Sequence, residues 1–418
     1  MVVRQVLSNG VTLLTERMPE MRSAAVGVWL RRGSRHETAQ QSGLYHFIEH
    51  MLFKGTKSRS AEQIAAEVDA IGGHMDAFTA KEYAAFHLKV LGEQLPLAMD
   101  ILGDLVQNPL FDEADIAKEK KVIFEEMAMV EDTPDDIVME MFSSTFWPDN
   151  PLGRPILGTR ETVGSFGQGE LIRFFRSAFN PANLVVAAAG RVEHAAARAL
   201  VERHFGALER GRPGAPARRP KVARAVVARS KKQLEQVHVC VGAPSCRQSD
   251  PARFALYVMN TVLGGSMSSR LFQNIREKRG LVYSISSGVS AYADTGVFTI
   301  YAATSLDSVR EVLRLTVDEV RRMVGERLPD EELRRAKEHI KGSLLLSLEG
   351  TVSRMSHLVR QELYLGRQMS LDEIAEGIDA VTADDVQRVA RRYLSGQLAA
   401  SVIGSLHGYR PKAKDLLV

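Results

Sequence analysis

Two stretches of the chain decide the fold, because they match each other at a constant spacing. Residues 170–190 end in Asn183-Leu-Val-Val-Ala-Ala-Ala-Gly190, and residues 384–404, which lie 214 positions later, end in Leu398-Ala-Ala-Ser-Val-Ile-Gly404. Each stretch has the apolar periodicity of a helix, followed by an apolar strand that stops at glycine. The match indicates that a domain has been duplicated.

A second sequence match relates the same two halves. Residues 112–120, Asp-Glu-Ala-Asp-Ile-Ala-Lys-Glu-Lys, resemble residues 330–339, Asp-Glu-Glu-Leu-Arg-Arg-Ala-Lys-Glu-His, with one residue inserted. Between the halves, Arg210 to Pro220 is rich in Arg, Pro and Gly, which is the composition of a linker. We therefore expect a first domain at residues 1–209, a linker at 210–225 and a second domain at 226–418.

The strands occur in hairpin-like pairs, such as Met75 to Thr79 followed closely by Ala84 to Val90. Short connections of this kind join antiparallel strands. We expect an α+β fold with two homologous domains, each a mixed or antiparallel sheet with helices packed on one face. A doubly wound parallel sheet is the alternative that strands interleaved with long helices would suggest.

Composition excludes several classes of function. The 418 residues are 45% hydrophobic and 25% charged, as in folded domains. The 54 basic and 51 acidic side chains give a net charge of +3, and no basic stripe with interleaved aromatics predicts nucleic-acid binding. Neither a signal peptide nor an apolar run of about 20 residues is visible. We expect a cytoplasmic protein without membrane insertion, although a matured form of a targeted precursor would read the same.

The stretch Gly43-Leu-Tyr-His-Phe-Ile-Glu-His-Met-Leu-Phe53 carries the sharpest chemical signal. At helical spacing His46 and His50 lie one turn apart on one side, with Glu49 beside His50. The other residues are apolar nearly all the way round, which predicts a buried helix. Two buried imidazoles and a carboxylate require compensation, and a divalent metal supplies it. The alternative is a pair of core histidines hydrogen-bonded to the backbone or to Glu49.

A catalytic zinc ion takes three protein ligands, so the motif requires one more. In residues 112–131 a stripe recurs at helical spacing and consists of Ile116, Glu119, Ile123, Glu126 and Val130. We expect both glutamates to face inward with the isoleucines. Because the two are nearly two turns apart, only one is expected to touch the metal, and the other can orient a ligand histidine from behind.

These residues resemble the inverted zinc motif of the pitrilysin-type (M16) metallopeptidases, with His46-Phe-Ile-Glu-His50 followed 76 residues later by Glu126. The resemblance covers nearly the whole chain. It extends through Gly72-Gly-His-Met-Asp-Ala-Phe-Thr79, Glu131-Asp-Thr-Pro134, Pro151-Leu-Gly-Arg-Pro-Ile-Leu-Gly158, Asn183-Leu-Val-Val186, Gly264-Gly-Ser-Met-Ser-Ser-Arg-Leu-Phe272 and Arg276-Glu-Lys-Arg-Gly-Leu-Val-Tyr283. By length the chain is similar to the short subfamily, which includes the mitochondrial processing peptidase β subunit and its bacterial relatives.

The resemblance implies a site shared by the two halves. The zinc ligands would be His46, His50 and Glu126, the general base would be Glu49, and Glu119 would hold a ligand from behind. Arg276 and Tyr283 match the Arg and Tyr of the second domain that reach across to the substrate, so the domains would face each other across a cavity. The strand His74 to Thr79 would line this cavity. The expected substrate-binding residues are Asp76, Ala77, Phe78, Thr79 and Glu82.

The second half keeps the architecture but not the metal site. Phe254 to Gly264 contains neither His nor Glu, and the position of Glu126 falls on Leu344 or Leu345. One zinc ion per chain is therefore expected. Cys240, two residues from His238 on an alternating strand, is expected to pack there rather than to bind a second metal.

The expected function is that of a bacterial zinc metalloendopeptidase, of the EC 3.4.24 type, which cleaves extended, unfolded peptides or presequence-like segments. The alternatives are a non-catalytic structural subunit and a zinc hydrolase of a small molecule. Because the chain holds both the zinc motif and the Arg/Tyr pair, we expect a homodimer, with a heterodimer containing an inactive homologue as the alternative. Relatives usually carry Asn in place of Asp76, and the added charge predicts a preference for basic peptide residues.

Overall fold

The structure is a computed structural model that describes residues 2–418. Within that range the strands form two sheets, one of six strands and one of five. Both sheets mix parallel and antiparallel pairs and are covered by helices. The prediction of an α+β fold with two related sheets is confirmed.

The first sheet has a mixed topology that leaves one hairpin at its edge. It contains β1 (Val2–Val6), β2 (Thr12–Arg17), β3 (Ser23–Leu30), β4 (His74–Thr79), β5 (Ala84–Leu91) and β6 (Leu184–Gly190), in the order β1-β2-β6-β3-β5-β4. β2 and β6 pair in parallel, and the other neighbours are antiparallel. The predicted hairpin is thus present, and its strand β4 lies at the edge of the sheet.

The second sheet repeats this order without a counterpart of β1. It contains β7 (Val226–Ser230), β8 (Val237–Ser245), β9 (Val282–Ala291), β10 (Gly296–Thr304) and β11 (Ala399–Gly404), in the order β7-β11-β8-β10-β9. β11 pairs in parallel with β7 and takes the place that β6 has in the first sheet. The matching sequences 170–190 and 384–404 therefore end in corresponding strands, and β9 is the edge strand that corresponds to β4.

Helices pack against both sheets, and those that build the two largest cores lie on one face of each sheet, as predicted. In chain order they are α1 (Leu44–Leu52), α2 (Ala61–Ala70), α3 (Leu95–Leu105), α4 (Glu113–Asp132), α5 (Pro134–Phe146), α6 (Arg160–Ser165), α7 (Gln168–Ala178), α8 (His194–Phe205), α9 (Arg253–Leu263), α10 (Val309–Gly325), α11 (Asp330–Ser347), α12 (Thr351–Leu365), α13 (Leu371–Asp379) and α14 (Ala383–Leu394). Side chains of α1, α3, α7 and α8 share a core with Val26 and Leu88 of the first sheet. Those of α9, α10 and α14 share a core with Val239 and Ile300 of the second.

Two helices depart from the expected division of the chain at residues 209 and 226. Unit 1 consists of Met1–Met127, Arg154–Arg218 and Ser347–Gln368, and unit 2 of Ala128–Gly153, Arg219–Leu346 and Met369–Val418. Helix α12, from the second half of the sequence, therefore belongs to unit 1. Helix α5, from the first half, belongs to unit 2.

Helix α12 packs on the second face of the first sheet, where its Leu358 is buried with Trp29 of β3. Glu362 of the same helix is almost fully buried and forms ion pairs with Arg4 (2.8 Å) and Arg31 (2.9 Å). Apolar burial and two charge-assisted hydrogen bonds therefore hold α12 in unit 1.

Helix α5 covers the second face of the sheet in unit 2. Its Phe142 and Phe146 are buried with Cys240 and Ile403. Gly242 of β8 makes room for this contact, since a Cβ atom at that position would lie 2.4 Å from the Phe142 ring. Each sheet thus carries one helix beyond those on the predicted face.

Residues 210–225, the expected linker, contain no helix or strand. Across residues 2–418, no helix is both long enough and apolar enough to cross a membrane.

Candidate metal centre

Helix α1 is buried on nearly all sides, as its sequence predicts. It begins after Gly43, a position with a φ of 95° that favours glycine. The carboxylate of Glu37 accepts hydrogen bonds from the backbone N–H groups of Gly43 (2.9 Å) and Tyr45 (2.8 Å), so it satisfies donors that the helix itself leaves free. Burial raises the pKa of Glu37 to about 7, although these bonds act in the opposite direction.

His46 and His50 of α1 meet Glu126 of α4. The Nε2 atoms of both histidines lie 3.6 Å from Oε2 of Glu126, and the two imidazole rings are 4.6 Å apart. One potential ligand atom from each of the three residues lies within 4.8 Å of the others. The structure therefore brings together the three residues that were predicted to ligate a metal.

This cluster fits a zinc ion. Nitrogen and oxygen ligands at about 2.0–2.2 Å from a tetrahedral zinc lie about 3.3–3.5 Å apart, close to the separations between Glu126 and the histidines. Oε2 of Glu126 is buried without a hydrogen-bond partner within residues 2–418, a situation that a cation would relieve. Burial, and then the neighbouring His50, lower the pKa of His46 to about 3, so its imidazole is neutral at pH 7 and able to bind a metal.

Glu119 lies behind His50, as predicted. Its Oε2 is 3.0 Å from Nδ1 of His50, and its Oε1 is 2.7 Å from Nζ of Lys54. This leaves Nε2 of His50 directed at Glu126. A carboxylate on the rear nitrogen fixes the ring orientation and makes the imidazole a better ligand. Lys54 compensates the charge of Glu119, whose side chain is only 5% exposed.

Glu49 is close to the cluster but outside it. Thr79 of β4 donates a hydrogen bond of 2.5 Å to Oε2 of Glu49, and within residues 2–418 no group donates to Oε1. Burial raises the pKa of Glu49, the Thr79 bond and His50 lower it, and Glu126 and Asp76 raise it. A fixed carboxylate with one free oxygen and a raised pKa has the properties of a general base.

The predicted stripe on α4 is buried over only part of its length. Ile116, Glu119 and Ile123 are buried, whereas Glu126 and Val130 are partly exposed. The stripe leaves the core at Glu126, whose side chain is 40% exposed. Part of the Glu126 side chain is therefore in contact with solvent, while its Oε2 is buried against the histidines.

The residues expected to bind substrate lie on the edge hairpin in different environments. Asp76 is exposed, and Ala77 and Phe78 are half-buried. The ring of Phe78 packs edge-on against Trp29 at 5.6 Å. Glu82 is 9% exposed and forms an ion pair of 2.5 Å with Arg35, so its carboxylate is already occupied within unit 1.

Arg276 and Tyr283, predicted to act together, are neighbours in unit 2. Arg276 lies in a short π-helical turn, Phe272–Glu277, and Tyr283 lies on edge strand β9. The guanidinium of Arg276 is stacked 5.6 Å from the centre of the Tyr283 ring and 4.6 Å from that of Phe272. The Tyr283 side chain is 80% exposed, which makes its hydroxyl available to a ligand.

Unit 2 carries no second metal cluster among the residues that the structure describes. Leu345 of α11 is half-exposed instead of facing a pair of histidines. Cys240 is fully buried, which raises its pKa, and Nδ1 of His238 is 2.9 Å from the Tyr301 hydroxyl. Cys240 therefore packs in the core of unit 2, and His238 contacts a tyrosine hydroxyl there.

Two residues of the site were not predicted from the sequence, and a third has a contact that differs from its predicted role. Lys54 follows His50 by four residues, so helical spacing would have placed it near the same face. Glu37 precedes Gly43 by six residues in irregular structure, and no periodicity marks it. Thr79 was expected to bind substrate, but its hydroxyl is engaged by Glu49.

The protein has two related sheets, and one of its units carries a His/His/Glu cluster with Glu49 beside it. These features are typical of two-unit proteins with an inverted zinc motif. Sequence comparison agrees with this class. Residues 12–160 match the model of the family described as Insulinase (Peptidase family M16), and residues 165–340 match the Peptidase M16 inactive domain. The chain belongs to peptidase family M16.

Two curated relatives illustrate the relationship. A protein of Streptomyces coelicolor is 43% identical over 97% of this chain and 90% of its own length. One of Bacillus subtilis is 40% identical over 96% of this chain and 98% of its own length. Both are named uncharacterized zinc proteases. These relatives support a zinc metallopeptidase in general.

Solved structures share the fold. A peptidase M16 inactive domain from Pseudomonas fluorescens has a TM-score of 0.89 at 20% identity, covering 96% of this chain and 98% of that one. A protease from Helicobacter pylori has a TM-score of 0.88 at 20% identity, covering 97% and 99%. At this level of identity the similarity concerns the fold alone.

Proposed function

We propose that the protein is a zinc-dependent endopeptidase that cleaves extended, unfolded peptides or presequence-like segments. The observation that carries the proposal is the convergence of two Nε2 atoms, from His46 and His50, on an unpartnered oxygen of Glu126. The proposal assigns one zinc ion per chain to these ligands. Membership of a peptidase family supports a peptide as the substrate.

Bound zinc would polarise the scissile carbonyl and lower the pKa of a coordinated water molecule toward 7. The protein's own contribution begins with Glu49, which accepts the proton of the attacking water at Oε1 and then delivers it to the leaving amine. Thr79 holds the other oxygen of Glu49 in place. The raised pKa of Glu49 suits a group that both takes and returns a proton, a role that contributes about 10² to 10⁴ in rate.

Glu119 and Lys54 maintain the ligand geometry. Glu119 accepts a hydrogen bond from Nδ1–H of His50, which favours the tautomer that leaves Nε2 free for the metal. The ion pair with Lys54 keeps the carboxylate oriented toward His50. In the reaction these residues position a ligand and do not touch the substrate.

Arg276 and Tyr283 are proposed to bind the substrate from unit 2. A guanidinium and an exposed phenol can both donate hydrogen bonds to a peptide carbonyl or to the oxyanion that develops from it. Stacking of Arg276 on Tyr283 limits the freedom of both groups, which favours a fixed arrangement of donors.

The edge strand β4 is proposed to receive the peptide. Its side away from β5 has unpaired backbone groups, because β4 is the last strand of its sheet, and an extended peptide can add there by main-chain hydrogen bonds. This mode selects unfolded segments over folded proteins. Asp76 is exposed on this strand and is proposed to favour basic peptide residues, while Ala77 and Phe78 contribute their backbone. Glu82 would act only through its contact with Arg35.

We further propose that the protein forms a homodimer. One chain carries the metal ligands and the Arg276/Tyr283 pair, so no functional group must come from a different polypeptide. A mass of two chains in light scattering, with no second protein in the preparation, is the expected result. A heterodimer with an inactive homologue would instead give a low-activity isolated chain.

Three variants test the proposed function together. Glu49→Gln is expected to keep one zinc ion per chain and to abolish cleavage of an unfolded peptide, because only the proton acceptor is lost. Glu126→Gln is expected to lose both zinc and cleavage. Glu125→Gln is the matched control, since Glu125 is exposed on the same helix, and it should keep both.

The outcomes also separate the competing functions. Full cleavage by Glu49→Gln would overturn the mechanism. A wild-type protein that binds zinc but cleaves no peptide would favour a non-catalytic subunit. Hydrolysis of small molecules that does not require Arg276 and Tyr283 would favour a zinc hydrolase of another class.

A further inference from the structure

Each unit has a cavity beside an arginine whose side chain is mostly buried. In unit 1 a cavity of about 510 Å³ is lined by Arg59, and in unit 2 one of about 370 Å³ is lined by Arg270. Arg59 follows the end of α1 and Arg270 follows the end of the corresponding helix α9, and each precedes a buried isoleucine by five residues, Ile64 or Ile275. The duplication thus places the same residue type beside a cavity twice.

In unit 1 each of the three guanidinium nitrogens donates to a carboxylate. Nε of Arg59 donates to Glu67 at 3.0 Å, Nη1 to Asp104 at 3.1 Å and Nη2 to Asp100 at 2.5 Å. Three carboxylates surround one guanidinium, so this cavity has no attraction for a further anion.

In unit 2 the corresponding guanidinium is largely unpartnered. Nε of Arg270 donates to Glu332 at 2.9 Å, but Nη1 and Nη2 have no acceptor within residues 2–418. The Arg270 side chain is 11% exposed and lines the cavity, so its two terminal nitrogens offer a fork of free donors there. A guanidinium fork with free donors matches the geometry of an oxyanion.

The remaining charges of this cavity are predominantly positive. Lys278 and Arg335 line it, and neither side chain has a hydrogen bond or ion pair within the described residues. Arg322 lies 3.3 Å from Glu319, which also accepts a hydrogen bond of 2.6 Å from Asn274. Arg322 also pairs with Glu326 at 3.3 Å, and Arg270 pairs with Glu332. The unpaired positive charges at the cavity are therefore those of Lys278 and Arg335, which suit an anion.

We propose that this cavity of unit 2 binds the phosphate group of a small phosphorylated molecule. The terminal nitrogens of Arg270 would hold two phosphate oxygens, and Lys278 and Arg335 would supply the remaining charge. Hydroxyl groups of Ser266 and Ser268 line the same wall and can donate to the phosphate. A cavity of about 370 Å³ lies within the range of small-molecule sites, so it has room for an organic part beside the phosphate. None of the three proposed metal ligands lines this cavity.

Titration calorimetry of the full-length protein tests this proposal, in low-salt buffer with inorganic phosphate as the first probe. Saturable binding is expected, and the double variant Lys278→Gln/Arg335→Gln should raise the dissociation constant about tenfold or more, because two charged contacts are lost. Arg334→Gln is the matched control, since Arg334 neighbours Arg335 but is paired with Glu331 outside the cavity; its dissociation constant should stay within about twofold of wild type.

Arg270→Lys keeps the charge but removes the fork, so it should also weaken binding. Lys278 and Arg335 are both exposed, so the double variant is expected to fold. It keeps the test decisive if Arg270→Lys fails to fold. AMP that binds more tightly than inorganic phosphate identifies a phosphate ester as the occupant, and equal binding identifies the free anion. No phosphate binding by the wild type, equal weakening in Arg334→Gln, or acetate binding as tightly as phosphate would each overturn the proposal.

Discussion

The helix pair α1 and α4 of unit 1 and the pair α9 and α11 of unit 2 arise from the same repeat and differ in what they carry. α1 contributes His46 and His50, and α4 contributes Glu119 and Glu126, whereas the buried side chains of α9 are apolar apart from Thr261. Unit 2 shows that this fold packs without a metal. We therefore expect that unit 1 also folds without its cluster and that the buried polar groups of the cluster serve a function.

The largest effect is expected when Glu126 of unit 1 is replaced by leucine, the residue type at the corresponding position of unit 2. Glu126→Leu leaves two ligands, so zinc should be lost and peptide cleavage should fall by about 10³-fold or more. The fold should persist, because Glu126 is partly exposed and unit 2 manages without a carboxylate there. Metal analysis, peptide assays and circular dichroism measure these three quantities.

Glu125→Gln serves as the control for this comparison. If Glu126→Leu unfolds while Glu125→Gln does not, the cluster has a structural role that unit 2 lacks, and the contrast between the units would have to be revised.

A smaller effect is expected when the residue behind the cluster is changed. Glu119→Gln should weaken zinc affinity by about 10- to 100-fold, because it removes the carboxylate that orients His50. Competition with a chelator of known affinity measures the effect. Lys57→Met should leave zinc affinity unchanged, whereas Lys54→Met should lower it, since only Lys54 forms the ion pair with Glu119. Equal affinities for wild type and Glu119→Gln would contradict the assigned role.

Loss of the hydrogen bond that positions Glu49 is expected to have a smaller effect on activity. Thr79→Val removes the hydrogen bond to Glu49, and we expect kcat to fall by about tenfold with zinc content unchanged. Thr79→Ser keeps the hydroxyl and should restore most of kcat. A rise in KM with an unchanged kcat would instead return Thr79 to the substrate-binding role predicted from the sequence.

The smallest effect concerns the helices that cover the second face of each sheet. Helix α12 is held there by a buried ion pair, and helix α5 by aromatic packing. Burial raises the pKa of Glu362, but hydrogen bonds from Arg4 and Arg31 outweigh it and hold the pKa below its ordinary value of 4.5. The stabilisation is thus present above pH 4.5 and is lost as the pH falls through the lowered pKa. Glu362→Gln should cost about 1 kcal/mol at pH 7.

Urea unfolding at neutral and acidic pH measures this difference, which should shrink as the pH falls below 4.5. Glu193→Gln, which breaks an exposed pair with Arg17, should change stability by less than about 0.5 kcal/mol at either pH. A cost for Glu362→Gln that grows at acidic pH would contradict the sign of the pKa shift.

Several elements were predictable because they depend on local periodicity. The two histidines of α1, the two glutamates of α4 and the β4–β5 hairpin all follow from spacings of 3.6 or 2 residues. The duplication followed from a direct match of two segments, and it identified the corresponding strands β6 and β11.

Other elements depend on contacts between distant segments, which spacing does not reveal. The exchange of α5 and α12 between the sheets could not be predicted, because an amphipathic helix shows that it has a buried face but not which sheet covers it. The same holds for the cap that Glu37 provides to α1 and for the open fork of Arg270. Both depend on partners that only the folded chain brings together.

The central claim is that one zinc ion binds to His46, His50 and Glu126 and that unit 2 binds none. Anomalous diffraction at the zinc absorption edge, on crystals of the full chain grown with zinc, tests it most directly. The account predicts one strong peak per chain, about 2.0–2.2 Å from the two Nε2 atoms and a carboxylate oxygen of Glu126. A chain without a peak at these residues, or with an equal peak in unit 2, would contradict it.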